Sequence, residues 1–81
     1  MKITVLLFAQ LAERVGTDQL AVTLSEGAIV GDAVEQVLRT HRNLSDFADT
    51  LATAVNLEYV ERHYPLFDGD ELALIPPVSG G

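Results

Sequence analysis

Between Ile3 and Phe8 the side chains alternate in character: Ile3, Val5 and Leu7 share one face of an extended chain, and Lys2, Thr4, Leu6 and Phe8 the other. β-Branched and aromatic residues over so short a run predict a strand. Its second face begins polar and ends on two large apolar side chains, Leu6 and Phe8. Gln10 to Val15 fits a short helical turn that stops at Gly16, where the lack of a Cβ suits a left-handed helix end. Gly16, Thr17 and Asp18 then turn the chain into a second predicted strand, Gln19 to Leu24, with Leu20, Val22 and Leu24 on one face.

From Val30 the period changes. Val30, Val34, Val37, Leu38 and His41 fall at i, i+4, i+7, i+8 and i+11, the stripe of an amphipathic helix. Ile29 stands where Ser, Thr or Asp would cap that helix, so its start is expected to be poorly capped. Asp32 and Glu35 suit the positive end of the helix dipole, and Arg39, His41 and Arg42 the negative end. Leu44 to Leu51 reads as a polar connection with Phe47 and Leu51 turned to the core. Ala52 to Val60 reads as strand, tight reversal near Leu57 and Glu58, and strand; Leu66 to Asp70 brings the chain to a last strand, Glu71 to Ile75. Asp68-Gly69-Asp70-Glu71 lacks the oxygen-ligand spacing of a calcium loop and reads as a turn. The element order is α+β, with one main helix on one face of a mixed sheet. In so short a chain it predicts a β-grasp, ubiquitin-like roll over residues 1–76, followed by a flexible tail over 77–81.

Composition narrows the chemistry. The 81 residues include no cysteine, which removes disulfides, thiolate catalysis and Cys-ligated metal sites. His41 and His63 are the only histidines and show no HxH, HxxxH or HExxH spacing, so no metal site is expected. No Ser, His and Asp arrangement suggests a triad. Twelve acidic against five dispersed basic residues, a net charge of −7, would repel phosphate backbones and anionic headgroups. Neither nucleic acid nor membrane is therefore an expected partner; a basic protein surface is. The apolar run after Lys2 is too short for a secretory signal and no stretch approaches a membrane span, so a cytoplasmic protein is expected.

The end of the sequence carries the sharpest signal. Pro76 and Pro77 cannot donate ladder hydrogen bonds, so the last strand stops and the tail projects outward. From Pro77 to Gly81 an extended chain reaches roughly 17 Å at about 3.4 Å per residue, deep enough to enter a pocket of another protein. Gly80 and Gly81 have no Cβ and can thread a channel closed to other residues; Val78 and Ser79 lead into them. A carboxylate on Gly81 is ionised at neutral pH and is able to attack the α-phosphate of ATP to give an acyl-adenylate. A frayed end would also carry two glycines; the preceding prolines, strand and element order favour a working tail.

Leu66 to Ala73 running into Ile75-Pro76-Pro77-Val78-Ser79-Gly80-Gly81, with Ala54-Val55-Asn56, Glu58-Tyr59-Val60, Phe8-Ala9, Glu13 and Gly16, resembles the MoaD-type ubiquitin-like sulfur carriers, the small subunits of molybdopterin synthase. Two positions depart from that pattern: Ala12 stands where the family often has Arg, and Ile29 where it commonly has a capping Thr. The resemblance implies that a ubiquitin-activating-type (MoeB-like) adenylyltransferase uses ATP to adenylate Gly81, and that a persulfide donor converts it to a thiocarboxylate. Docked in the large (MoaE-like) subunit, in a heterotetramer of two small and two large chains, the tail would give its sulfur to cyclic pyranopterin monophosphate in molybdenum cofactor biosynthesis. No cofactor would be held permanently, and catalytic side chains would belong to the partners. Related carriers for thiamine thiazole (ThiS-like) or tRNA thiolation, a protein modifier, and a non-catalytic β-grasp interaction module are the competing readings.

Strand faces indicate where such partners would dock. Phe8 lies on the outer face with Lys2 and Thr4, and with Leu72 and Leu74 facing the core, Ile75 lies outside with Glu71 and Ala73. Together with Tyr59 these are the expected partner-binding residues, each large side chain contributing about 1.5–3 kcal/mol when fully buried.

Overall fold

The structure is a computed structural model and describes residues 1–78. Its elements are β1 (Lys2–Leu7), α1 (Gln10–Val15), β2 (Gln19–Thr23), α2 (Val30–Thr40), a 3₁₀ helix (Arg42–Phe47), β3 (Ala52–Val55), β4 (Glu58–Tyr59) and β5 (Glu71–Ile75). The five strands form one mixed sheet in the order β2-β1-β5-β3-β4. β1 runs antiparallel to β2 and parallel to β5, while β3 is antiparallel to both β5 and β4. The α+β, β-grasp expectation is met.

Alternation along β1 and β5, the two strands at the centre of this division, separates the sheet into two faces. Ile3, Val5 and Leu7 of β1, Leu72 and Leu74 of β5, and Val55 of β3 join a core with Val30, Ala33, Val34 and Val37 of α2. Leu72, Leu74, Val5 and Val30 are wholly buried. The opposite face carries Lys2, Thr4 and Leu6 from β1 and Glu71, Ala73 and Ile75 from β5, which are exposed or half-buried. Gly16 ends α1 in the left-handed conformation, as its position predicted, with φ 91°.

Three expectations are corrected. The start of α2 is well satisfied although Ile29 has no capping oxygen. The Asp32 carboxylate accepts the Ile29 N–H at 2.9 Å, and the Val30 and Gly31 N–H groups donate to the Tyr64 and Arg62 carbonyls at 2.9 and 2.7 Å. A distant backbone segment thus takes over what a side-chain cap does elsewhere. The stretch after α2 is not a plain polar connection, since Arg42–Phe47 winds into a 3₁₀ helix whose Leu44 is wholly buried alongside the expected Phe47. The reversal between β3 and β4 falls one residue earlier than predicted, on Asn56 and Leu57, both with positive φ.

Candidate functional site

Register brings one residue from each of four strands into a row across the outer face: Leu6 pairs with Ala73, Ala73 with Ala54, and Ala54 with Tyr59. The two alanines at the centre are too small to fill the space between their neighbours. The result is a shallow groove of about 170 Å³, walled by Phe8, Leu57, Tyr59 and Ile75 and bordered by Glu71. The expected partner-binding residues Phe8, Tyr59 and Ile75 therefore meet at one place, although they lie far apart in the chain. Phe8, Tyr59 and Leu57 are 45%, 76% and 92% exposed, so this face is apolar surface that no described residue covers.

Local geometry explains how the Phe8 wall is placed. Phe8 stands at the end of β1, and Ala9, at φ 51° and ψ −123°, bends the chain sharply into α1. That backbone region is disfavoured for any residue with a Cβ. The bend is secured from the far end of α1, where Arg14 donates to the Asn43 carbonyl at 2.9 Å and to Asp46 Oδ1 at 2.7 Å, and its guanidinium lies 4.7 Å from the Phe47 ring centre. Asn43 returns a hydrogen bond to the Arg14 carbonyl at 2.8 Å.

Ile75 ends β5 and leads directly into the tail. Pro76 is buried, and Pro77 and Val78 are exposed. The remaining tail residues singled out by sequence, Ser79, Gly80 and Gly81, lie outside the described residues. His41 and His63 do not line the groove. Among the described residues, no three His, Asp or Glu side chains gather to hold a metal ion. No helix among them is long and apolar enough to cross a membrane.

A larger open hollow of about 540 Å³ on the α2 side is lined by Arg39, Arg42 and Arg62. Arg39 is engaged by Glu35, and Arg62 donates to the Ala48 and Leu51 carbonyls, so two of the three guanidinium groups already serve the fold. The groove on the sheet face is the better candidate because it is apolar and continuous with the tail. Leu57 is the wall residue that sequence reasoning missed; the available signal was a leucine placed in a tight reversal.

A mixed five-stranded sheet holding one long helix against its inner face, with its last strand, β5, in the interior of the sheet and followed by Pro76 and Pro77, defines a ubiquitin-like β-grasp protein. The crystal structure of SAMP1 from Haloferax volcanii superposes with a TM-score of 0.90 at 35% sequence identity, covering all of both chains. Residues 5–81 match the ThiS family model, and the chain belongs to that family. Within it, the chain is similar to molybdopterin synthase sulfur carrier subunits. It is 40% identical to the one from Chlamydomonas reinhardtii over the full length of both proteins, and 39% identical to that of Escherichia coli K12 over 98% of this chain and 99% of that one.

Proposed function

We propose that this chain is the sulfur carrier subunit of a cytoplasmic molybdopterin synthase, with the carboxylate of Gly81 as the group that is activated and loaded. The observation that carries the proposal is the continuity of groove and tail: Ile75 walls the apolar groove and is followed directly by Pro76, Pro77 and Val78. A large subunit that covers Phe8, Tyr59 and Ile75 thereby aims the tail into its own active site. The full-length similarity to sulfur carrier subunits supports the same reading.

The chemistry follows from the terminal carboxylate. On a MoeB-like activating enzyme, a Gly81 carboxylate oxygen attacks the α-phosphate of ATP and pyrophosphate leaves, giving an acyl-adenylate. A persulfide sulfur displaces AMP from that mixed anhydride, and a second thiol cleaves the S–S bond to leave the thiocarboxylate. This sulfur then bonds to cyclic pyranopterin monophosphate in the large subunit, giving a thioester between carrier and pterin; water hydrolyses its acyl C–S bond, leaving the sulfur on the pterin and restoring the Gly81 carboxylate. The carrier needs no general acid or base of its own, because its partners surround the reacting end.

Intact-mass spectrometry after incubation with activating enzyme, ATP and a sulfur source tests the proposal. The expected result is a mass gain equal to replacing one oxygen by sulfur; an unchanged mass with no AMP formed refutes it. A second reading, protein modification, is favoured by the similarity to SAMP1, a small archaeal modifier protein. In that case a lysine amine attacks the acyl-adenylate, forming an isopeptide bond as AMP leaves, and the same experiment run in a cell extract yields isopeptide conjugates.

A further inference from the structure

Asn56 and Leu57, the two residues joining β3 to β4, have φ values of 49° and 75°. Positive φ at both positions is the signature of the tight hairpin turn that favours Asn at the first position and Gly at the second. Asn56 fits. Leu57 takes the place of glycine in a conformation that is unfavourable for a branched side chain, and that side chain is 92% exposed.

What holds the turn is its neighbour. The Asn56 N–H donates to the Glu71 carbonyl at 2.9 Å, its Nδ2 donates to Asp70 Oδ1 at 3.1 Å, and its Oδ1 accepts the Glu71 N–H at 3.1 Å. Three bonds from one residue, two to the first residue of β5 and one to Asp70 just before it, over-determine the backbone, which is the condition under which a strained neighbour persists. They account for the shape of the turn. They do not account for leucine, since Gly or Asn would fit the same backbone without strain and without exposing an apolar side chain.

The position of Leu57 supplies the reason: it walls the groove beside Phe8, Tyr59 and Ile75. We infer that Leu57 is an anchor for the large synthase subunit: the Asn56 bonds fix the backbone of the turn, so its exposed side chain is presented to an apolar socket of that partner with little backbone freedom left to lose on binding. This inference rests on the reading of the face as the large subunit's docking surface. That subunit is assigned as the occupant because the groove is continuous with the tail that must enter its active site.

Calorimetric affinity for the purified large subunit and thermal melting, measured on the full-length chain and on Leu57→Gly, Leu57→Asn and Phe8→Ala, test it. Relief of strain should raise the melting temperature of Leu57→Gly by about 4 °C and leave Leu57→Asn at or above the parent. Both variants should nevertheless bind the large subunit about tenfold more weakly, a combination that a merely structural role does not produce. Parent-like affinity in both Leu57 variants while Phe8→Ala binds weakly overturns the inference and leaves the docking face standing. Melting below the parent in both Leu57 variants overturns it too, because Leu57 would then stabilise the turn. Parent-like affinity in all three variants removes the docking-face reading itself, and the anchor with it.

Discussion

Replacing Asp70 with alanine tests the link between the last turn and the apolar groove on the sheet face. Asp70 Oδ2 accepts the Phe67 N–H at 2.8 Å and closes the Phe67–Asp70 turn, while Oδ1 accepts Asn56 Nδ2 at 3.1 Å and ties that turn to the β3–β4 reversal. Alanine keeps the backbone bonds at this residue, the Asp70 N–H to the Phe67 carbonyl and the Thr4 N–H to the Asp70 carbonyl, both 3.0 Å. The loss is therefore confined to two side-chain bonds. Each contributes about 0.5–1.5 kcal/mol net, more when the acceptor is charged, so the variant should lose about 1.5–3 kcal/mol. For a domain of this size, about 2 kcal/mol lowers the melting temperature by about 8–16 °C. Urea denaturation followed by circular dichroism measures the loss directly. A double-mutant cycle with Asn56→Ala isolates the shared bond, with an expected coupling of about 0.5–1.5 kcal/mol. A loss below about 0.5 kcal/mol, or losses that add within about 0.3 kcal/mol, would refute the claim that Asp70 fastens the two turns together.

Two further predictions concern the bend behind Phe8. Ala9→Gly should stabilise the fold by about 0.5–1 kcal/mol, because glycine takes the φ 51°, ψ −123° conformation without a Cβ penalty; denaturation at a lower urea concentration than the parent contradicts this. Arg14→Ala should cost about 1–2 kcal/mol through loss of the Asn43 and Phe47 contacts, with the exposed Asp46 pair contributing little. If that loss vanishes at high salt, the ion pair rather than the stacking and carbonyl bond secures α1.

The elements that could be read along the chain are those whose hydrophobic period is local. Alternation in β1 and β5 and the near-fourfold stripe of α2 separate buried from exposed positions without knowledge of the neighbours, and so place Phe8 and Ile75 on the outer face. The misses share a different cause. Leu44 is one apolar residue in a polar stretch and has no period, so nothing local marked it as core. The cap of α2 comes from the carbonyls of residues 62 and 64, some thirty positions away. Leu57 gained its strained backbone from a turn fastened by Asn56 to Asp70 and Glu71, 14 and 15 positions further on, a pairing that no hydrophobic period records.

The candidate site divides in the same way. By itself the sequence supplied the features on which the proposed sulfur-carrying tail rests: two prolines that stop a strand, a short spacer and two glycines, with no cysteine and no catalytic constellation elsewhere. These are properties of residue type and order, and folding does not alter them. Only the tertiary structure decided that Phe8, Tyr59 and Ile75 share one groove and that Leu57 stands in its wall. The parallel pairing of β1 with β5, strands separated by most of the chain, and the antiparallel pairing of β3 with both β5 and β4 set that register.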